Sequence, residues 1–169
     1  MSHHIVRRLT ALARNGVLTH FLSLSAQDIW MRFGHAIQES VLRNYVSTMD
    51  FDADAVFGVY DGGLVPVGVA HMAIAGDSAE VGLSVLARAR KQGIGAAMLE
   101  QAIRHGKSLG LKKITVLCLQ ENSGMRRLAE KFFMETTSEG REVEADLELL
   151  QSPSDAVGQP SPETVPPVP

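Results

Sequence analysis

Glu80-Val81-Gly82-Leu83-Ser84-Val85-Leu86, followed after three residues by Arg90-Lys91-Gln92-Gly93-Ile94-Gly95-Ala96, is the stretch that decides how this chain folds. A strand-like run ends near Leu86, and a helix-like run begins near Ala96. A loop between two such elements turns successive backbone N–H groups toward one point at a helix N-terminus. Orphan amides and the helix dipole then attract a diphosphate without any particular side chain. Gly93 and Gly95 let the main chain come close to such an anion, where a Cβ would clash.

Composition narrows the function classes. With 169 residues and 45% hydrophobic content, the chain is sized for one globular domain with a sizeable core. A net charge of −3 offers no footprint for nucleic acid or an anionic membrane. Cys118 is the sole cysteine, which excludes an intrachain disulfide and argues against a zinc cluster. No apolar run reaches membrane-spanning length, so a reducing, cytoplasmic setting is expected. Arg7, Arg8 and Arg14 precede the first acidic residue, Asp28, on an amphipathic pattern of Ile5, Leu9 and Leu12. That pattern also suits a mitochondrial transit segment, but a short N-terminal helix ending at Asn15-Gly16 is the simpler reading.

Three regions follow: a helical extension over 1–16, a domain over 17–150 and a tail over 151–169. The tail holds six of the seven prolines and no Lys, Arg or aromatic residue. Such a composition buries too little apolar surface to offset ordering entropy, so the tail is expected to be disordered.

Within 17–150, Val17 to Leu24 reads as a strand, and Ser25 is placed to cap a helix starting at Ala26. Residues 26–33 and 38–48 carry apolar positions at helical spacing. Ala55–Tyr60 and Leu64–Ile74 read as strands joined by a hairpin at Asp61-Gly62-Gly63, with Gly76-Asp77 turning into the next strand. Ala96–Leu109 places Leu99, Ala102, Ile103 and Leu109 on one helix face, and Gly110 is its stop. Lys113–Leu119 is a β-type run. Asn122 is then positioned to cap a helix carrying Met125, Leu128, Ala129 and Phe132. Alternation of Val143, Ala145, Leu147 and Leu149 with acidic residues marks a last strand with one buried face.

Taken together, the strand from Glu80 to Val85, the Arg90-x-x-Gly93-x-Gly95 loop, the helix after it, and Asn122-x-x-Met125-x-x-Leu128 resemble the GNAT-type N-acetyltransferase superfamily. The glycine loop matches that family's acyl-CoA motif in full, the second motif in part, and the order of elements from about residue 17 to 149. The resemblance implies an α/β fold with a central, mostly antiparallel, twisted sheet and helices on both faces. It also implies two parallel strands, the one from Glu80 and Lys113–Leu119, splaying to form a cleft. Acetyl-CoA would be the co-substrate and a primary amine the acceptor, with no nucleic acid or membrane partner; a homodimer is compatible with the sequence.

By the same resemblance, amides from Gln92 through Gly93, Ile94 and Gly95 to Ala96 would hold the pyrophosphate. Arg90 and Lys91 would add positive charge or simply be solvated. Backbone groups of Leu83 and Val85 would pair with pantetheine, and Glu80 would act as general base, because an ammonium is no nucleophile until a carboxylate removes its proton. Asn122 caps its helix and, by resemblance, would also hydrogen-bond cofactor or substrate near the thioester.

Two departures stand out. Relatives often carry a tyrosine after the leucine of the second motif, placed to protonate the departing thiolate; here that residue is Ala129. The Gly-Phe that usually closes the helix is Phe133-Met134. Both leave the catalytic acid unassigned and keep open a non-catalytic acyl-CoA sensor as the alternative. Tyr45 and Tyr60 lie elsewhere in the sequence, with nothing to bring them to the site. Cys118 reads as a core residue, His71 as a minor alternative base, and Trp30, Met31 and Phe33 as either core or acceptor-pocket residues. No histidine pair has metal-ligand spacing. Acidic residues in 26–54 hint at a cationic acceptor or simply a solvated surface.

Overall fold

The computed structural model describes residues 3–150; the expected tail over 151–169 lies outside them. A seven-stranded sheet forms the centre, in the order β1-β2-β3-β4-β5-β7-β6. Its strands are β1 (Arg7–Arg8), β2 (Ala55–Val59), β3 (Gly68–Ala75), β4 (Ser78–Val85), β5 (Lys113–Leu119), β6 (Glu135–Glu139) and β7 (Glu142–Glu148). Every neighbouring pair is antiparallel except β4 and β5. Helices α1 (Arg14–Leu22), α2 (Ala26–Phe33) and α3 (Glu39–Ser47) pack on one face. Helices α4 (Ile94–Ser108) and α5 (Ser123–Lys131) cover the other.

Binary patterning explains the two-faced sheet. Along β4, Ala79, Val81, Leu83 and Val85 join the cluster under α4, while Ser78, Glu80, Gly82 and Ser84 face the other way. Helix α4 buries Met98, Leu99 and Ala102 completely. Met98 and Leu99 each contribute on the order of 1.5–3 kcal/mol by leaving water. Close approach of α4 to the sheet depends on Gly68, where a Cβ would sit 2.7 Å from Ile94 Cγ2 and 3.0 Å from Met98 Cε. Cys118 is buried in β5, and burial pushes its thiol pKa up.

Four expectations are corrected. Val17–Leu24 is not a strand; most of it belongs to α1, where Val17, His20 and Phe21 bury one face at i, i+3 and i+4 spacing. No N-terminal helix stops at Asn15-Gly16. The helix starts at Arg14 and runs through both, and Gly16 is small because Leu64 O lies 3.3 Å from where its Cβ would be. The link after β2 is no tight hairpin: β3 begins at Gly68, and Leu64 is 95% exposed. Pro66, which lacks an N–H, is incompatible with strand pairing there. Leu109 ends α4 half-exposed rather than on its buried face. Gly110 closes that helix at φ +70°, as its stop role requires.

Candidate active-site cleft

Strands β4 and β5 pair over only three residues, Ser78↔Lys113, Ala79↔Ile114 and Glu80↔Thr115, and then separate. A cleft of about 620 Å³ opens between the separated ends, α2, the loop before α4 and the start of α5. Leu83 and Val85 line its β4 side; Arg90, Lys91, Gly93, Ile94, Gly95 and Ala96 line its loop side, and Asn122 its far side. Gln92 and Glu80 are not part of its wall. Glu80 is exposed at the point where the strands part.

The loop is shaped as an anion cradle. Lys91 and Gly93 take left-handed conformations, at φ +58° and +82°. None of the amides from Lys91 to Ala96 donates to a backbone acceptor among the described residues, and α4 has no side-chain cap at its start. Those free donors lie at the N-terminus of α4, where the helix dipole is positive. Gly95 has a further reason to be small: Leu128 Cδ1 would lie 3.2 Å from its Cβ, so it also admits α5. The cleft wall carries five cationic side chains (Arg32, Arg90, Lys91, Arg127 and Lys131) against one carboxylate, Asp28. A polyanionic ligand fits that balance.

Arg90 is not a free phosphate ligand. Its Nε donates to Val85 O at 3.1 Å, and Nη2 pairs with Asp28 Oδ1 at 2.5 Å. Asp28 also closes a capping box with Ser25 at the head of α2. Desolvation raises the Asp28 pKa, but the bonds from Arg90 and Ser25 outweigh it and hold the carboxyl below its usual value. The pair ties α2 to the loop. The Gln92 carbonyl accepts from His4 Nε2 at 2.5 Å.

Asn122 does cap α5, its Oδ1 accepting from Met125 N at 3.1 Å, while Nδ2 points to Met31 O at 3.5 Å. Met31 reaches the cleft. Trp30 instead bonds Glu121 across its indole N–H, and Phe33 packs against Phe21 and Tyr45. Ala129 is buried in the core, so no proton donor stands there. Phe133, in the usual glycine position, adopts φ +56° in a Schellman turn, with Met134 N bonded to Ala129 O and Phe133 N to Glu130 O.

A polar chain that sequence reasoning missed runs along the α1–α3 face of the sheet. Arg32 Nη2 donates to Tyr45 Oη at 3.2 Å, Tyr45 Oη meets His71 Nδ1 at 2.6 Å, and His71 Nε2 meets Asp54 Oδ2 at 2.8 Å. In the neutral imidazole, Asp54 as acceptor places the proton on Nε2 and leaves Nδ1 to accept from the phenol. Burial pushes the Tyr45 pKa up despite the nearby Arg32. Tyr45 is therefore brought beside a cleft residue after all, whereas Tyr60 packs in the cluster around α1. His71 faces Gly82 across the β3–β4 register. Next along the same face, His20 is fully buried, donating from Nδ1 to Pro66 O and accepting at Nε2 from Ser84 Oγ, each at 2.8 Å. Desolvation lowers its pKa to about 4.

Comparison with known proteins places these features in context. A sequence model described as "Acetyltransferase (GNAT) family" matches residues 24–133. No curated protein matches the chain. Among solved structures, the GNAT domain of S. lividans PAT superposes with a TM-score of 0.73 at 17% identity, over 85% of this chain and 89% of that one. Spermidine N-acetyltransferase from Vibrio cholerae, in complex with CoA and spermine, gives 0.67 at 16% identity over 86% and 95%. Ribosomal-protein-alanine N-acetyltransferase from Brucella melitensis gives 0.67 at 14% identity over 86% and 99%. At these identities the structural likeness speaks for the fold.

Proposed function

Given that the chain belongs to the GNAT acetyltransferase family, we propose that it transfers an acetyl group from acetyl-CoA to a primary amine, on a small molecule or a protein, by direct attack. Membership makes it an acyltransferase and does not favour the sensor alternative. The observation that carries this reading is the run of orphan amides at the start of α4, opening into the cleft where β4 and β5 part.

In this reading, amides from Gln92 to Ala96 hold the pyrophosphate, and the Leu83 and Val85 backbone pairs with pantetheine along the unpaired edge of β4. Lys91, Arg127 and Lys131 add positive charge at the phosphate end, and Asn122 approaches the thioester. Glu80 removes a proton from the acceptor ammonium, directly or through water. The amine lone pair attacks the thioester carbonyl carbon, and amides near Val85 stabilise the developing oxyanion. The C–S bond then breaks. Thiolate is a good leaving group and takes up a proton from solvent, so Ala129 does not block the reaction.

Thermal-shift measurement with acetyl-, propionyl- and succinyl-CoA, followed by a free-thiol assay over an amine library, tests the reading. Acetyl-CoA at a hundred times its Kd is expected to raise Tm by roughly 5–10 °C. No shift at millimolar coenzyme A would overturn it.

A further inference from the structure

Two arginines of the cleft wall meet at α2, Arg32 on the helix itself and Arg90 reaching it from the loop, and only one is neutralised. Arg90 is paired with Asp28. Arg32 has no carboxylate within salt-bridge distance among the described residues. Its Nη2 reaches the neutral Tyr45 hydroxyl, its Cζ lies 4.7 Å from the Phe33 ring centroid, and its Nε is buried with no hydrogen-bond partner. Asp54 is engaged by His71 and the Ile74 amide, and the exposed Glu80, though on the same β4 face as Gly82, makes no salt bridge with Arg32. A half-buried guanidinium without a counter-charge is costly unless something supplies one.

The position is built rather than incidental. Arg32 lies flat over Gly82, and a Cβ there would fall on Cζ, Nη1 and Nη2 together. Gly82 is three residues before the end of β4, which at about 3.3 Å per residue puts it some 10 Å from the strand end that feeds the phosphate loop. The diphosphate is held beyond that end, so Arg32 stands at the reacting end of the cleft instead. The planar fork matches a carboxylate in two-point contact.

From this geometry we propose that Arg32 is a specificity residue that selects a carboxylate-bearing substrate, carried either on the amine acceptor, as in an amino acid, or on the acyl group, as in a dicarboxylic acyl-CoA. The inference rests on the acyl-transfer reading above. It opposes the weak sequence hint of a cationic acceptor: Asp28 and Asp54, two of the acids behind that hint, are already bonded.

The test compares binding by calorimetry and transfer by thiol release. One arm sets succinyl-CoA against acetyl-CoA; the other, in the presence of acetyl-CoA, sets amino acids against their methyl esters. Wild type is expected to favour the carboxylate in one arm by at least about tenfold, and that arm identifies which substrate carries it. In Arg32→Gln the ratio should collapse toward one. Gly82→Ala, which puts a methyl where the guanidinium lies, should do the same and guards against misfolding of the first variant. Equal treatment by wild type of succinyl- and acetyl-CoA in the first arm and of acid and ester in the second overturns the inference, as does a preference that survives both substitutions. If no thioester binds or reacts, the acyl-transfer reading itself fails and the inference with it. Transfer without carboxylate preference sinks only the role of Arg32.

Discussion

Glu80 of β4 stands opposite Thr115 of β5 in the last parallel register pair, and beyond that pair the two strands diverge. Glu80 therefore stands where the strands part, outside the residues that line the cleft and two residues from the Gly82 on which Arg32 lies. For Glu80→Gln, acetyl-CoA affinity is expected to stay near wild type while kcat falls by about 10²-fold or more. Steady-state kinetics beside calorimetric binding separates the two; an unchanged kcat removes Glu80 as the base.

Gly93→Val tests the cradle. No heavy atom lies within 4 Å of a Cβ built there, so the fold should survive, but φ +82° strains any L residue by about 1–2 kcal/mol. Coenzyme A affinity should drop at least about tenfold, because the branched side chain tilts and screens the free amides. Wild-type affinity would count against the loop as the diphosphate site.

His20 sets an acid limit on stability. Its pKa is about 4 folded and 6.5 unfolded, so between those values the unfolded chain binds the extra proton. Stability should therefore be full above about pH 6.5 and fall as pH drops toward 4, by roughly 3 kcal/mol over the window. Urea unfolding from pH 7 to 4 measures it. His20→Gln, which cannot take up that proton, should flatten this part of the profile; an identical slope in the variant assigns the acid loss elsewhere.

Phe133→Gly should stabilise the protein by up to about 1 kcal/mol. The residue is 89% exposed and holds φ +56° at the position of a Schellman turn that favours glycine. Relief of left-handed strain exceeds the small loss of contact, partly offset by added freedom in the unfolded chain. A lower Tm in the variant would show that the exposed ring contributes more than its backbone costs.

Where short-range pattern carries the information, the sequence is readable. Lys113–Leu119 begins and ends where its β-type run does, Asn122 caps the helix it precedes, and Ser25 opens α2 with a capping box. Val17–Leu24 misleads because β-branched Val17 and Thr19 suit a strand, while what fixes a helix there is burial against partners far along the chain. His20 meets Pro66 and Ser84, which lie 46 and 64 residues away. The chain from Arg32 through Tyr45 and His71 to Asp54 was illegible for the same reason: each link joins separate elements, and no spacing rule connects them. Arg90 matched its motif, yet its ion pair with Asp28 is a tertiary fact.

Gly68 sits on β3, outside the cleft lining but paired with Val85 of β4, and the start of α4 rests against it through Ile94 and Met98. A methyl group there would lever that turn outward and carry the Lys91–Ala96 amides with it. Grip on the donor proposed for those amides would thus be adjustable from behind, by substitutions that leave every lining residue intact.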